Sequence, residues 1–422
     1  MPKREKKGKA SAPRKRGGRT REREDDVSDD DCSVAGSVAV GNLASLSSDE
    51  EVNGDEAGAE LIDDTRGRII DCLEQTEHKS GKTKENGLSG LCQILSKTFT
   101  PDNVEPMQET LLATVVRFLK RGTDAEKVLS ARLAAILMLQ LGCADETEHY
   151  VDELRPLLSN ILSDPSRSQS ARAMASVTLA LGNFMVGALP DHLELVDRFR
   201  TVLGTATTQS QHALVTAIIS SWSVLLTDMT SPFVMNNADG LSSMFARHLG
   251  SKDPASRSAA GEAIAVTYEM ARKVDPEFNG EDIEEVLASV KELAHDHSHH
   301  RSKTESKEGR AQFRPVVSYL EDGHRPDETV VVSKKQALRM TSWSEIRLLS
   351  FFKCVLGSGI HEHLRENEFI RDVFKLGASL GPDADRVAQT SDERAALKRG
   401  YNAKKMFRQV DRAAMRDKRA QF

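Results

Sequence analysis

The feature that most constrains how this 422-residue chain can fold is an internal repeat at an offset of forty residues. Asp124, Ser130, Ala131, Arg132, Ala135, Leu139, Leu141 and Gly142 recur as Asp164, Ser170, Ala171, Arg172, Ala175, Leu179, Leu181 and Gly182. A third copy, Asp253-Pro254 through Ala259-Ala260-Gly261-Glu262-Ala263-Ile264-Ala265, keeps the break followed by a run of small residues. Around these copies, from Leu61 to Leu293, stripes of helical spacing alternate with short Asp/Pro/Gly breaks.

A period near forty built from paired helices is the mark of HEAT and armadillo arrays, whose units bury their apolar faces only against one another. Ala131, Ala134, Ala135, Ala171, Ala173 and Ala175 let the inner helix of each pair approach its neighbour, while leucines and valines fill the shared core. Asp-Pro at 164 and 253 predicts an N-cap followed by proline at the first helical position. Thr329–Val332 is the one strand-like stretch. The fold class that follows is all-α: an armadillo/HEAT-like solenoid with a disordered charged N-terminal arm and a basic C-terminal helix.

Charge is segregated along the chain. Residues 1–23 hold eleven Lys/Arg and two acids, residues 24–64 hold fourteen acids and no base, and the body from 65 to 393 nets nine negative. Residues 1–64 lack aliphatic periodicity and cannot bury enough surface to offset the entropy of ordering. Lys3–Lys9 and Arg14–Arg23 match basic nuclear-import patches or a plain solvated arm; Ser28, Ser47 and Ser48 precede acidic runs that an acidophilic kinase would accept. Five scattered cysteines with no C-x-x-C pair point to a reducing compartment. The longest nearly apolar run, Ala213–Leu226, is too short for a bilayer, so the expectation is a soluble monomer of cytoplasm and nucleus with no membrane partner.

The C-terminal end carries the opposite sign. Arg394, Lys398, Arg399, Lys404, Lys405, Arg408, Arg412, Arg416, Lys418 and Arg419 face only Asp411 and Asp417, a net of plus eight. Lys404, Arg408, Arg412 and Arg416 are four apart, one row on a helix, whose three like-charge pairs cost about 1 kcal/mol in isolation. A polyanion would recover that energy; a solvated helix face is the bland reading. Opposite the row, Ala403, Met406, Phe407, Val410, Ala413 and Ala414 make a narrow apolar stripe.

Catalytic signatures are missing: there is no P-loop, G-x-G-x-x-G, G-x-S-x-G or H-E-x-x-H, so neither catalysis nor a cofactor is expected. His295, His297, His299 and His300 form the one histidine cluster, but it opens a polar stretch, and no metal site is assigned. His361 and His363 lack the spacing of a helical metal pair, and Trp222 and Trp343 sit among apolar neighbours as core residues.

One block is similar to a known family. His363-Leu364-Arg365-Glu366-Asn367-Glu368-Phe369-Ile370-Arg371-Asp372-Val373-Phe374-Lys375-Leu376-Gly377, preceded by Val355-Leu356-Gly357-Ser358-Gly359, resembles the C-terminal signature of the interferon-related developmental regulator family. Gly357, Gly359, Asn367, Glu368, Phe369, Phe374 and Gly377 carry the match; the end from Tyr401 to Ala420 and the helix from Ala260 to Arg272 are similar too. The chain departs from that pattern at His295–His300 and Val330–Arg339.

That resemblance implies an armadillo-like fold without catalysis and two roles. One is a ribosome-binding translation repressor whose basic C-terminal helix enters the mRNA channel, with the ten cations above facing rRNA. The other is a nuclear co-regulator whose concave solenoid face grips transcription factors and histone deacetylase complexes. The chain then divides into an arm at 1–64, a repeat domain at 65–300, a polar linker at 301–340, a helical region with the family signature at 341–380 and a basic helix at 390–422.

Overall fold

A computed structural model describes residues 60–379, apart from 144, 207–210, 296–302 and 334–335. The basic C-terminal helix expected from sequence and residues 1–59 of the N-terminal arm lie outside these residues; the last five residues of the expected arm, 60–64, begin a helix instead.

Helices stack in two layers. The inner layer comprises α2 (Gly81–Lys97), α5 (Asp124–Leu141), α7 (Gln169–Val186), α9 (His212–Asp228) and α12 (Pro254–Arg272), each packed on the next. The outer layer comprises α1 (Glu60–Thr76), α4 (Gln108–Arg121), α6 (Asp145–Ser163), α8 (Leu189–Thr205) and α11 (Ala238–Ala246), with the short α3 (Pro101–Val104) and α10 (Ser231–Asn236) in the connections. This is the all-α solenoid that the repeat predicts. The alanines at 131, 134, 135, 171, 173 and 175 are buried between inner helices, as are Trp222 and Trp343 in the core. Among the described residues the cysteines, Cys72, Cys92, Cys143 and Cys354, form no disulfide.

The forty-residue offset, however, is not the structural step between α5 and α7. Gly142 ends α5 with φ 72°, whereas Gly182 lies inside α7, where a Cβ would sit 2.9 Å from Val151 of α6. The structural counterparts are forty-five apart: N-caps Thr123 and Ser168, and C-caps Gly142 and Gly187. Helices rich in alanine match each other at many slips, so only the caps fix the register. Asp164 likewise does not start a helix; it accepts from Ser166 and Arg167 within the turn, and Ser168 caps α7 instead. Asp253 does cap α12, accepting from Ser256 N at 2.8 Å, with Pro254 first in the helix.

A buried cation marks the same register. Lys127, Arg172 and Arg257 each stand in the first turn of an inner helix and are 4% exposed. Lys127 and Arg172 turn back to carbonyls at the end of the preceding outer helix, Lys127 to Gly122 and Arg172 Nε to Leu162 at 2.9 Å, while Arg257 Nη1 reaches the loop carbonyls of Ser251 at 2.8 Å and Lys252 at 3.0 Å just before its own helix. Terminal helical carbonyls have no partner within their own helix, and a cation there also meets the negative end of the dipole.

Residues 301–340 are not a polar linker. They form α14 (Lys303–Asp322), which follows α13 (Ile283–His295), and an antiparallel hairpin of β1 (Glu328–Ser333) and β2 (Gln336–Met340). Phe313, Val316, Tyr319 and Leu320 make a buried stripe on α14, narrow enough to be hidden among polar neighbours in the sequence. In the hairpin Val330 and Val332 pack inward with Leu338 and Met340, while Val331 between them is 67% exposed. Strand alternation thus realises the one strand-like stretch.

Candidate functional site

The residues of the family-like C-terminal block converge on one surface, the inner layer of the solenoid. Three helices, α15 (Trp343–Leu356), α16 (Ile360–Glu366) and α17 (Glu368–Val373), run back across it from α12 to α2. The inner helices are therefore covered on both sides, which is why α9 is buried from Leu214 to Leu226 without an exposed face. The apolar run too short for a membrane is the centre of this sandwich; among the described residues no helix is long and apolar enough to span a bilayer.

Polar contacts fasten the block at each step. At its start, the backbone N–H groups of Trp343 and Ser344 and the Ser344 hydroxyl donate to the Glu269 carboxylate of α12. One turn on, Arg347, only 1% exposed, pairs with Glu262. Further along, Arg132 Nε of α5 donates to the Val355 carbonyl at 2.9 Å. Gly357 then ends α15 with φ 61°, in the left-handed region that favours glycine. A Cβ on Gly359 would lie 1.9 Å from the Ser96 carbonyl oxygen at the end of α2, so no larger residue fits there.

Asn367 ties two helix ends together. Its Oδ1 accepts from Ile370 N at 3.1 Å, capping α17, and its Nδ2 donates to the Leu139 carbonyl at 2.7 Å. Leu139 is in the last turn of α5, where carbonyls lack intrahelical partners. Gln140 acts similarly, donating to Leu95 and Thr98 at the end of α2, both at 2.6 Å. His363, fully buried beside Asn367, stacks edge-on to Phe99, and burial pushes its pKa down to about 4.

The last segment is closed by Arg371, also fully buried. Its guanidinium donates to the carbonyls of Leu364 (2.7 Å), Arg365 (3.2 Å), Leu376 (2.9 Å) and Gly377 (3.1 Å) and to Gln336 Oε1 of the hairpin (3.0 Å). Around it Phe352 meets Phe184, Phe369 and Phe374 edge-on at centroid distances of 6.4, 6.2 and 6.0 Å. Burying each such ring is worth about 1.5–3 kcal/mol.

Of the seven signature residues, Gly357, Gly359, Asn367, Phe369, Phe374 and Gly377 thus build a latch, and Glu368 stands half-buried in the first turn of α17. Their contacts join the C-terminal block to the repeats. Sequence reasoning missed Arg132, Glu262, Glu269, Arg347 and Arg371; charged residues inside otherwise apolar stretches were the available signal. The ten C-terminal cations from Arg394 to Arg419 lie outside the described residues, as do His297, His299 and His300, whereas His295 bonds the Lys291 carbonyl of its own helix. Among the described residues no group of three or more His, Cys, Asp or Glu is placed to hold a metal.

The sequence model described as Interferon-related developmental regulator (IFRD) matches residues 37–321. Interferon-related developmental regulator 2 of Mus musculus is 33% identical over 83% of this chain and 81% of its own length. Interferon-related developmental regulator 1 of Homo sapiens is 29% identical over 86% of this chain and 84% of its own length. A solved structure, the designed armadillo repeat protein YIII(Dq)4CqI, overlaps 60% of this chain and all of its own with a TM-score of 0.38 at 14% identity. With a family model covering more than half its length and a relative at one-third identity over most of it, this chain belongs to the interferon-related developmental regulator family.

Proposed function

We propose that this protein is a non-catalytic regulator of gene expression that represses translation by binding the ribosome. The helical-repeat body docks, and the basic C-terminal residues occupy the mRNA channel against rRNA. The observation that carries the reading is the segregation of charge: ten cations against two acids beyond residue 393, attached to a body that nets nine negative. Phosphate contacts from Lys and Arg need no reaction and read no sequence, and they make affinity fall steeply with salt, with a log-log slope of about −0.7 per phosphate neutralised on single-stranded RNA.

A second reading, co-regulation of transcription in the nucleus through transcription factors and histone deacetylase complexes, draws on the basic patches before residue 24. Its geometry requires revision. The inner face of the solenoid, where a peptide was expected to dock, is filled by α15, α16 and α17, so partners in this reading would meet the outer helices or the edges. Between them the two readings place the chain in cytoplasm and nucleus.

The experiment is sucrose-gradient sedimentation of the tagged full chain from lysate at low and high salt, beside a chain lacking 394–422 and the triple variant Arg408→Glu, Arg412→Glu, Arg416→Glu. Salt-sensitive, tail-dependent migration with ribosomes is the expected result. Co-sedimentation of the triple variant at the wild-type level would refute the tail mechanism, and migration in light fractions alone would favour the nuclear reading.

A further inference from the structure

Between the outer helices α6 and α8 lies a cavity of about 560 Å3, within the range of small-molecule and side-chain sites. Ser163 and Pro165 form one wall, Arg198, Thr201 and Val202 the other, and Arg172 of α7 the floor. It opens on the outer side of the solenoid, away from the latch and independent of the C-terminal cations.

Arg172 makes the cavity chemically specific. The residue is 4% exposed, its Nε is committed to the Leu162 carbonyl, and among the described residues no carboxylate lies within 4.0 Å of its guanidinium. The nearby acids are engaged elsewhere: Asp164 holds Ser166 and Arg167, Glu194 holds Arg198 at 2.8 Å, and Asp197 holds Arg200 at 2.6 Å. Burial pushes the Arg172 guanidinium pKa down and the nearby Asp164 carboxylate offsets only part of that effect, so an entering anion that reaches the guanidinium gains a charge-assisted hydrogen bond. Pro165 and Val202 supply an apolar wall, and Glu194 and Asp197 at the rim disfavour a dianion such as phosphate over a single negative charge.

We propose that this cavity is a binding site for a carboxylate carried on an apolar stem, with Arg172 as the anchoring cation. The same chemistry is presented by a free hydrophobic acid or by a glutamate side chain of a partner peptide.

The test uses the full chain and ligand-observed saturation-transfer NMR. The probes are 4-phenylbutyrate with its neutral amide, and an amidated peptide bearing one glutamate between two leucines with its glutamine counterpart. Because Arg172 also caps α6, the blocking variant is Thr201→Trp, which fills the cavity from an exposed position on α8. We expect saturable binding of at least one acid, about tenfold tighter than its neutral partner, and loss of that binding in Thr201→Trp with an unchanged circular dichroism spectrum and thermal midpoint. Saturation by phenylbutyrate alone identifies a free acid as the ligand, and saturation by the peptide identifies a partner side chain. If neither acid saturates, if acid and neutral forms bind equally, or if Thr201→Trp binds as wild type does, the proposal is overturned.

Discussion

Replacing Asn367 by alanine tests whether the C-terminal block is a latch on the repeats. The side chain is 1% exposed and serves two helix ends at once, accepting from Ile370 N and donating to the Leu139 carbonyl. Loss of an N-cap costs about 1 kcal/mol. Leaving the buried Leu139 carbonyl unpaired costs a further ~1–3 kcal/mol. Asn367→Ala should therefore destabilise by about 2–4 kcal/mol, a large part of the stability of a typical domain. The assay is urea unfolding of the full chain followed by far-UV circular dichroism, where the midpoint should fall with an unchanged slope. Asn367→Ser separates the two roles: a serine can cap α17 but cannot reach α5, so it should recover only about 1 kcal/mol. An alanine variant within 0.5 kcal/mol of wild type would refute the latch, and full recovery by serine would reduce Asn367 to a local cap.

Two further outcomes follow from the same surface. Burial holds the His363 pKa at about 4, below its unfolded value of roughly 6.5, so the unfolded chain takes up this proton first as pH falls. Its contribution to stability is unchanged above about pH 6.5, declines between 6.5 and 4 by up to about 3 kcal/mol, and levels off below; His363→Phe should flatten that slope in pH-dependent urea titrations. Gly359→Ala would place a Cβ 1.9 Å from the Ser96 oxygen and 2.6 Å from its carbonyl carbon, both backbone atoms that cannot swing aside. It should lower stability by at least ~1–3 kcal/mol and raise the rate of proteolytic cleavage within α15–α17, whereas wild-type resistance would show that the close approach can relax.

The period of small residues was enough to identify a helical solenoid, because stacking inner helices at close range requires alanine and glycine whatever the detailed packing. Asp253-Pro254 and Thr329–Val332 were equally legible: a capping acid before proline and an alternating β-branched run act through local backbone preferences. The family signature could be seen as a block, and the C-terminal row of cations as a charge feature. What the sequence could not reveal was where those residues meet their partners. Asn367 finds Leu139, Arg132 finds Val355 and Arg347 finds Glu262 across 228, 223 and 85 residues of chain, and nothing local to any of them encodes the pairing. The register of the repeats was also decided in three dimensions, because alanine-rich helices resemble one another at several slips while only Thr123, Ser168 and the buried cations at 127, 172 and 257 mark their true starts. Local preferences determined the elements; the long-range pairing of buried helix-end carbonyls and charges determined that the chain's own C-terminal helices cover the inner face.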